Sequence, residues 1–304
     1  MDWTTQFDKQ VAEYLPDLKV ICDEPMSRHT SFRIGGPCDL FVAPEGADSF
    51  RDAYDAAIKA GLRTYILGRG SNVLFSDEGF RGVVISTENL NGVTVEGNTL
   101  IAEAGASFTH IAAVARDAGL TGLEFAYGIP GSVGGAVFMN AGAYGGQVSD
   151  CLESSTAFDP VSGHIICTEG ADHEFGYRSS IYKKNPERVI LSATFELKEG
   201  NKDEIRAYME DIMGRRRDKQ PLEYPSAGSV FKRPEGYFAG QLIEEQGLKG
   251  YTVGGAQVSE KHAGFIINRG GATAKDVLEL IAHIQKTVND AYGVMLECEV
   301  ISVK

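Results

Sequence analysis

Cysteine pairs, an excess of basic charge and long apolar runs are all missing from this sequence, and each absence removes a class of function. The five cysteines (Cys22, Cys38, Cys151, Cys167 and Cys298) are odd in number and widely scattered. With no C-x-x-C pair among them, neither a disulfide framework nor a zinc site is indicated, and free thiols fit a reducing cytosol. The six histidines, His29, His110, His164, His173, His262 and His283, lack metal-ligand spacing, so no metal is expected. Twenty-nine basic against 42 acidic side chains leave a net charge of −13. That balance excludes bulk electrostatic binding to nucleic acid or anionic lipid, yet leaves room for a local cationic pocket that takes a phosphorylated small molecule. No stretch approaches the roughly 18 continuous apolar residues of a membrane-spanning helix. Residues 1–15 carry acids among their apolar positions and lack a signal-peptide core. A soluble cytosolic protein is expected, with no nucleic-acid partner and no membrane insertion.

What is present is ordinary except for glycine. The chain has 304 residues, 43% hydrophobic and 23% charged, which suits two or three globular domains at about 150 residues each. Glycine numbers 36, about 12% of the chain against a usual value near 7%. Phe7, Val11, Tyr14 and Leu15 recur at helical spacing and predict an opening amphipathic helix; extended segments follow at 31–37 and 38–43. A helix is predicted over 47–60, with Phe50, Tyr54, Ala57 and Ile58 on one stripe and Gly61 at its end. Strands are predicted at 64–67 and 82–86, and a hairpin around Glu96-Gly97-Asn98. Ser107 caps a helix over 108–118 that Gly119 stops. Alternation marks a strand over 188–198, and a helix over 201–219 carries acids early and Arg215–Arg217 late, as its dipole favours. Pro221 and Pro225 mark a boundary at 219–224. Beyond it come a helix around 238–246, a strand at 263–267, a helix over 274–292 and a last strand over 294–303. Strands and helices interleave without regular βαβ punctuation, so the fold class reads as α+β with at least two lobes.

Several motifs carry chemistry. In 65–74, a strand runs into Gly68-Arg69-Gly70-Ser71-Asn72. A dinucleotide-binding reading needs a third glycine and a long helix next, and residues 74–81 leave no room for that helix. Either a surface turn or an anion-cradling loop remains. Residues 128–146 hold seven glycines in 19, among them Gly128, Gly131, Gly134 and Gly135. Glycine loses the most backbone entropy on folding, and Ile129, Val133, Val137, Phe138 and Met139 would sit badly in a flexible linker. A loop against a nucleotide or pyrophosphate is the better reading. Tyr177-Arg178-Ser179-Ser180-Ile181-Tyr182-Lys183 is either an exposed strand edge or a segment offering Arg178 to a carboxylate. Ser229 follows Gly228 with no activating His or Asp nearby, so acyl transfer is rejected. On the last strand, period-2 spacing sets Leu296, Cys298 and Val300 on one face and Met295, Glu297, Glu299 and Ile301 on the other. Pattern alone does not choose between the two glutamates.

Taken in order, SFRIGG (31–36), LGRGSNVL (67–74), EFAYGIPGSVGGAVFMNAGAYGG (124–146), YRSSIYK (177–183), AGSVFKRP (227–234), LIEEQGLKG (242–250) and GGAQVSEKHAGFIIN (254–268) resemble one family over almost the whole chain. It is the UDP-N-acetylenolpyruvoylglucosamine reductases (MurB), flavoenzymes of bacterial peptidoglycan synthesis. The resemblance implies an FAD-binding fold of the vanillyl-alcohol oxidase type in two subdomains, 1–86 and 87–200, plus a C-terminal α+β substrate lobe, 201–304. It implies non-covalent FAD against Gly68, Arg69, Gly70, Ser71, Asn72, Gly128, Ile129, Pro130, Gly131, Gly134, Gly135 and Asn140. NADPH enters as co-substrate, reduction of FAD and of UDP-N-acetylenolpyruvoylglucosamine alternate, and the product is UDP-N-acetylmuramate. The enzyme is expected to be a monomer in the bacterial cytoplasm.

Carried over position by position, the resemblance makes Arg178 the carboxylate-binding arginine, Ser229 the proton donor and Glu299 the catalytic glutamate, so that Glu299 is chosen over Glu297. Tyr177, Lys232, Arg233, Lys249 and His262 fall where the family contacts substrate. With only 50 residues between Arg178 and Ser229, the extra tyrosine-bearing loop of one subclass has no room, and the chain resembles the shorter subclass. Arg233 replaces that other subclass's asparagine, which shifts diphosphate recognition toward charge. Two alternatives stand beside this reading: an FAD-dependent oxidase of the same fold acting on a sugar or hydroxy acid, and a non-catalytic nucleotide-sugar binder.

Overall fold

The computed structural model describes Phe7 and residues 17–304. Of the predicted opening helix, Val11, Tyr14 and Leu15 lie outside the described residues; Phe7 is buried. The chain divides into two compact units. Of the described residues, the first comprises Phe7, 17–21, Leu40–Arg69 and Gly82–Gly214, the second Cys22–Asp39, Gly70–Arg81 and Arg215–Lys304. Strand and helix are mixed in both, as α+β requires. No helix among the described residues is long and apolar enough to cross a membrane.

In the first unit an antiparallel five-stranded sheet runs in the order His164–Glu169, Leu152–Asp159, Val189–Glu196, Thr99–Glu103, Val93–Glu96. The strand is Val189–Glu196, and the alternation predicted over 188–198 holds from 191 on: Leu191, Ala193 and Phe195 are buried, Ser192 and Thr194 half-buried, Glu196 exposed, whereas Ile190, expected on the face of Ser192, is buried too. Helix Phe108–Ala118 is capped by Ser107, whose hydroxyl accepts from His110 N–H, and ended by Gly119 at φ +79°. Its Phe108, Ile111, Ala112 and Ala115 join Leu100, Val133, Val137 and Phe195 in one core, where each fully buried large side chain contributes roughly 1.5–3 kcal/mol. The glycine-rich 128–146 segment is not one loop. Val133–Met139 within it is a helix, with Ser132 capping one end and Asn140, at φ +44°, the other.

A four-stranded sheet has the order Val20–Pro25, Pro37–Val42, Phe80–Ser86, Thr64–Leu67. Helix Gly46–Lys59 connects two of its strands and buries Phe50, Tyr54 and Ala57. Thr64–Leu67 and Phe80–Ser86 pair in parallel, from Thr64 with Val83 to Leu67 with Ser86. Parallel neighbours usually need a crossover helix. Here the connection is instead an excursion of the chain into the second unit, through residues 70–81, which is why the glycine bend at 68–72 precedes no helix.

The second unit holds an antiparallel sheet ordered Ser226–Ser229, Phe265–Asn268, Ala256–Val258, Thr252–Val253. Helix Ala274–Tyr292 buries Val277, Leu280, Ile281, Ile284 and Val288, and Gly293 at φ +68° ends it. Thr273 and Asp276 form a reciprocal capping box at its start. Asp77, from the 70–81 excursion, adds two more acceptors: Oδ1 for Ala274 N–H at 2.7 Å and Oδ2 for Lys275 N–H at 2.9 Å. The last strand is shorter than predicted. Only Ile301–Val303 is a strand, paired in parallel with Val73–Phe75. Residues 294–300 follow the Val230–Lys232 segment by isolated bonds, so the strict face alternation fails and Cys298 is exposed rather than packed with Leu296.

Asp77→Ala leaves two helix-end N–H groups without their carboxylate, and loss of such a cap costs about 1–2 kcal/mol. A urea titration is expected to show the lowered midpoint; an unchanged one would mean that water replaces the carboxylate at no cost.

Candidate active site

The two glycine-rich segments do different work. The main-chain N–H groups of Gly68, Arg69, Gly70, Ser71 and Asn72 donate to no acceptor among the described residues. In the other segment the amides are spent inside the chain. Gly128 N–H donates to Thr109 Oγ1, Ile129 N–H to Ala126 O, Gly131 N–H to Ile129 O, Gly134 N–H to Ala104 O and Gly135 N–H to Ser132 Oγ. Pro130, exposed between them, has no N–H. Those glycines serve close approach: a Cβ on Gly134 would lie 3.0 Å from Ala104 Cβ. The segments meet in the first unit, where a Cβ on Gly68 would fall 2.4 Å from Ser132 Oγ. Within the second unit, Gly70 takes φ +60° with its Cβ position 2.0 Å from His29 O, which no side chain can occupy. Thr109, which binds both Gly128 N–H and Ile129 O, was missed in the sequence. Its signal was a lone hydroxyl in the first turn of an otherwise apolar helix stripe.

Arg178 sits at the tip of a two-residue turn, not on a strand edge. Gly176 and Ser179 exchange both main-chain hydrogen bonds, at 3.1 and 3.2 Å. Arg178 takes φ +53°, a conformation that costs a non-glycine residue about 1–2 kcal/mol. Its guanidinium lies 5.1 Å from the exposed Tyr177 ring and donates from Nη2 to Gly142 O at 3.3 Å; its carbonyl accepts Lys183 Nζ at 3.0 Å. Asn140, buried at the end of the 133–139 helix, donates from Nδ2 to Gly176 O at 3.2 Å.

In the second unit the structure brings Ser229 and Glu299 together. Glu299 N–H donates to the carbonyl of Val230, the residue after Ser229, at 2.7 Å. Asn72 Nδ2 donates to Glu299 O at 3.2 Å, so one end of the glycine bend reaches the same strip. Both Ser229 and Glu299 are half-buried. Glu297 is exposed and ion-paired with Lys232 at 2.8 Å, which holds its carboxyl below the ordinary range. Arg233 stacks its guanidinium 4.0 Å over Phe238. Lys249 pairs with Glu244 at 2.6 Å. His262 accepts Gly264 N–H on Nδ1 at 3.1 Å, and burial, with smaller help from the Lys249 charge, lowers its pKa. The ring is therefore neutral at pH 7 and keeps its proton on Nε2.

Behind the Arg178 segment, a buried polar network fixes helix Ile181–Lys184. Ser155 Oγ lies 2.8 Å from His173 Nε2 and 2.7 Å from Tyr182 OH, and Tyr182 OH donates to Thr168 Oγ1 at 3.1 Å. The His173 Nδ1–H points to Gly170 O at 3.1 Å, and burial lowers the His173 pKa. Burial also pushes the Cys38 and Cys151 thiols up to about 12, which removes them as nucleophiles.

Comparison with known proteins gives this geometry its context. The family described as FAD binding domain matches residues 38–168, and the UDP-N-acetylenolpyruvoylglucosamine reductase C-terminal domain matches 220–303. An FAD-binding domain followed by that C-terminal domain defines a flavin-dependent oxidoreductase. The UDP-N-acetylenolpyruvoylglucosamine reductase of Clostridium novyi is 52% identical over 90% of this chain and 89% of its own. That of Caldanaerobacter subterraneus subsp. tengcongensis is 49% identical over 96% of each. The crystal structure of the Thermus caldophilus enzyme superposes with a TM-score of 0.81, at 34% identity, over 94% of this chain and 99% of that one. The chain belongs to the UDP-N-acetylenolpyruvoylglucosamine reductase (MurB) family. The uncommitted N–H groups at 68–72 suit the diphosphate of FAD, since consecutive main-chain donors form an anion-binding concavity.

His173 gives a pH prediction. Its folded pKa lies below the unfolded value near 6.5, so the unfolded chain binds the extra proton more readily and stability declines as pH falls below about 6.5. Unfolding free energy measured at pH 7 and pH 5 is expected to drop, and His173→Gln to flatten the drop; the same slope in the variant would assign it to other groups.

Proposed function

We propose that this chain reduces UDP-N-acetylenolpyruvoylglucosamine to UDP-N-acetylmuramate with NADPH as reductant, for peptidoglycan synthesis, as a monomer in the bacterial cytoplasm. The observation that carries the reading is the match to reductases over nine-tenths of both chains, joined to the hydrogen bond by which Glu299 N–H reaches the carbonyl of Val230, the residue next to Ser229. Residues 1–200 serve the cofactor, in parts 1–86 and 87–200, and 201–304 serve the substrate.

FAD, when bound, carries hydride from NADPH to the enolpyruvyl double bond. Gly68, Arg69, Gly70, Ser71 and Asn72 hold its diphosphate with main-chain donors. Gly128, Ile129, Pro130, Gly131, Gly134 and Gly135 offer a side-chain-poor surface to its ring. Arg178 grips the substrate carboxylate, where a guanidinium can make two parallel charge-assisted bonds. As hydride reaches the vinyl carbon, negative charge spreads into that carboxylate, and Arg178 stabilises it. Losing such a donor costs about 3 kcal/mol, or two to three decades in rate. Ser229 delivers the proton to the neighbouring carbon. A serine hydroxyl is a weak acid, so this transfer needs the strongly basic carbon that the charge build-up creates. Glu299, held beside it by its N–H on Val230 O, supports the developing enolate and the proton relay. Tyr177, Lys232, Arg233, Lys249 and neutral His262 are assigned to binding the nucleotide-sugar, the cations matching its diphosphate.

Anaerobic stopped flow tests the whole reading: NADPH is expected to bleach the flavin absorbance, and enolpyruvyl-UDP-GlcNAc to restore it. Restoration by oxygen but not by that substrate would favour an oxidase instead. In the same experiment Ser229→Ala is expected to leave the NADPH step near normal and slow the second step at least about a hundredfold. Equal loss in both steps would refute the proton-donor role.

A further inference from the structure

The helix Val133–Met139 begins at the Ser132 hydroxyl that meets Gly68 and ends at the turn that carries Arg178. Its end and the residues just beyond it hold the Gly176–Ser180 segment at three points. Phe138 O accepts Ser180 Oγ at 2.8 Å, Gly142 O accepts Arg178 Nη2 at 3.3 Å, and Asn140 Nδ2 donates to Gly176 O at 3.2 Å. Asn140 differs from the other two because its side chain, not its main chain, makes the contact. The side chain is almost fully buried, at 3% exposure. Its amide orientation is determined by the chain: Oδ1 accepts Ser149 N–H at 3.0 Å, which can only donate, so Nδ2 must face Gly176 O. That carbonyl also accepts Ser179 N–H and closes the turn. Arg178, at φ +53°, is thus kept in an unfavourable backbone conformation by bonds around it.

We infer that Asn140 is a positioning residue for Arg178: its Nδ2–H bond to Gly176 O keeps the turn closed and the guanidinium aimed for the substrate carboxylate. The inference rests on the carboxylate-binding reading of Arg178. It gives Asn140 a task toward the substrate, through the turn, that its place in a glycine-rich cofactor segment did not suggest. Asn also suits the site because it tolerates the left-handed φ of +44° that ends the helix.

The test is a double-mutant cycle on the flavin-loaded enzyme, with single-turnover reoxidation by enolpyruvyl-UDP-GlcNAc as readout. Asn140→Asp keeps the acceptor for Ser149 and the left-handed backbone but turns an oxygen toward Gly176 O. It is expected to slow reoxidation by about 30-fold or more, since small misplacements of an orienting group cost that much. In an Arg178→Ala background the same change is expected to alter the rate by less than about twofold, because residues acting through one another are not additive. Hydrogen exchange at the Ser179 amide, bonded to Gly176 O, is expected to accelerate in Asn140→Asp. Asn140→Gly, which keeps the backbone conformation without the amide, serves in its place if the aspartate variant does not fold. Equal slowing in both backgrounds, no slowing by Asn140→Asp when Arg178 is intact, or unchanged Ser179 exchange would each overturn the positioning role alone. If Arg178→Ala by itself leaves reoxidation intact, the reading of Arg178 falls and the positioning role with it.

Discussion

One hydroxyl organises the first unit. Ser132 Oγ lies 2.4 Å from where a Cβ on Gly68 would be, and it accepts Gly135 N–H at 3.2 Å to start the Val133–Met139 helix. The Gly68 bend therefore has to be bare main chain, and the helix has to begin there. Because the helix is short and its core residues Val133, Ala136 and Val137 are buried, its far end is placed as rigidly as its near end. The Arg178 turn hangs from that far end through Phe138, Asn140 and Gly142. A constraint set at the first glycine bend is thus transmitted along seven helical residues to a guanidinium.

The second unit is built around an excursion of the chain. Residues 70–81 leave the parallel strands and pair Val73–Phe75 with Ile301–Val303, while Asp77 caps the long helix and Asn72 binds the Glu299 carbonyl. Segments distant in sequence are thus stitched by one main-chain ladder and by the Asp77 carboxylate and the Asn72 amide. Gly36 is constrained there too, since a Cβ on it would lie 2.1 Å from Asp77 O. Lys232 and Lys249 are each paired with an exposed glutamate, at 2.8 and 2.6 Å. Such exposed pairs contribute little to stability, which leaves the ammonium groups able to exchange a protein carboxylate for a ligand's oxygens.

Much of the architecture was legible in the residues. Ser107 and Gly119 bound their helix because a capping hydroxyl and a left-handed glycine are local devices. The alternation of Leu191, Ala193 and Phe195 marked the central strand because that sheet has one buried face. Alternation misled over 294–300, where the pattern has strand period but the chain meets the 230–232 segment by only scattered bonds. The glycine excess pointed to close approach, yet two different uses were hidden in it. At 68–72 the N–H groups are uncommitted, whereas at 128–135 they are consumed by Thr109, Ala104, Ser132 and neighbouring carbonyls.

By itself, the sequence determined the elements whose signals lie within a few residues: caps, alternation, the missing Rossmann helix, and the ordered motifs that identify the family. Only the tertiary structure decided which carbonyl each amide and side chain meets. It spent Asn140 on Gly176, turned Arg178 into a left-handed tip, and set Glu299 against Val230 while Glu297 went to Lys232. The physical reason is that a hydrogen bond is chosen by distance and direction in space, and partners 227 residues apart, as Asn72 and Glu299 are, or 236 apart, as Phe32 and Asn268 are, leave no periodic trace along the chain.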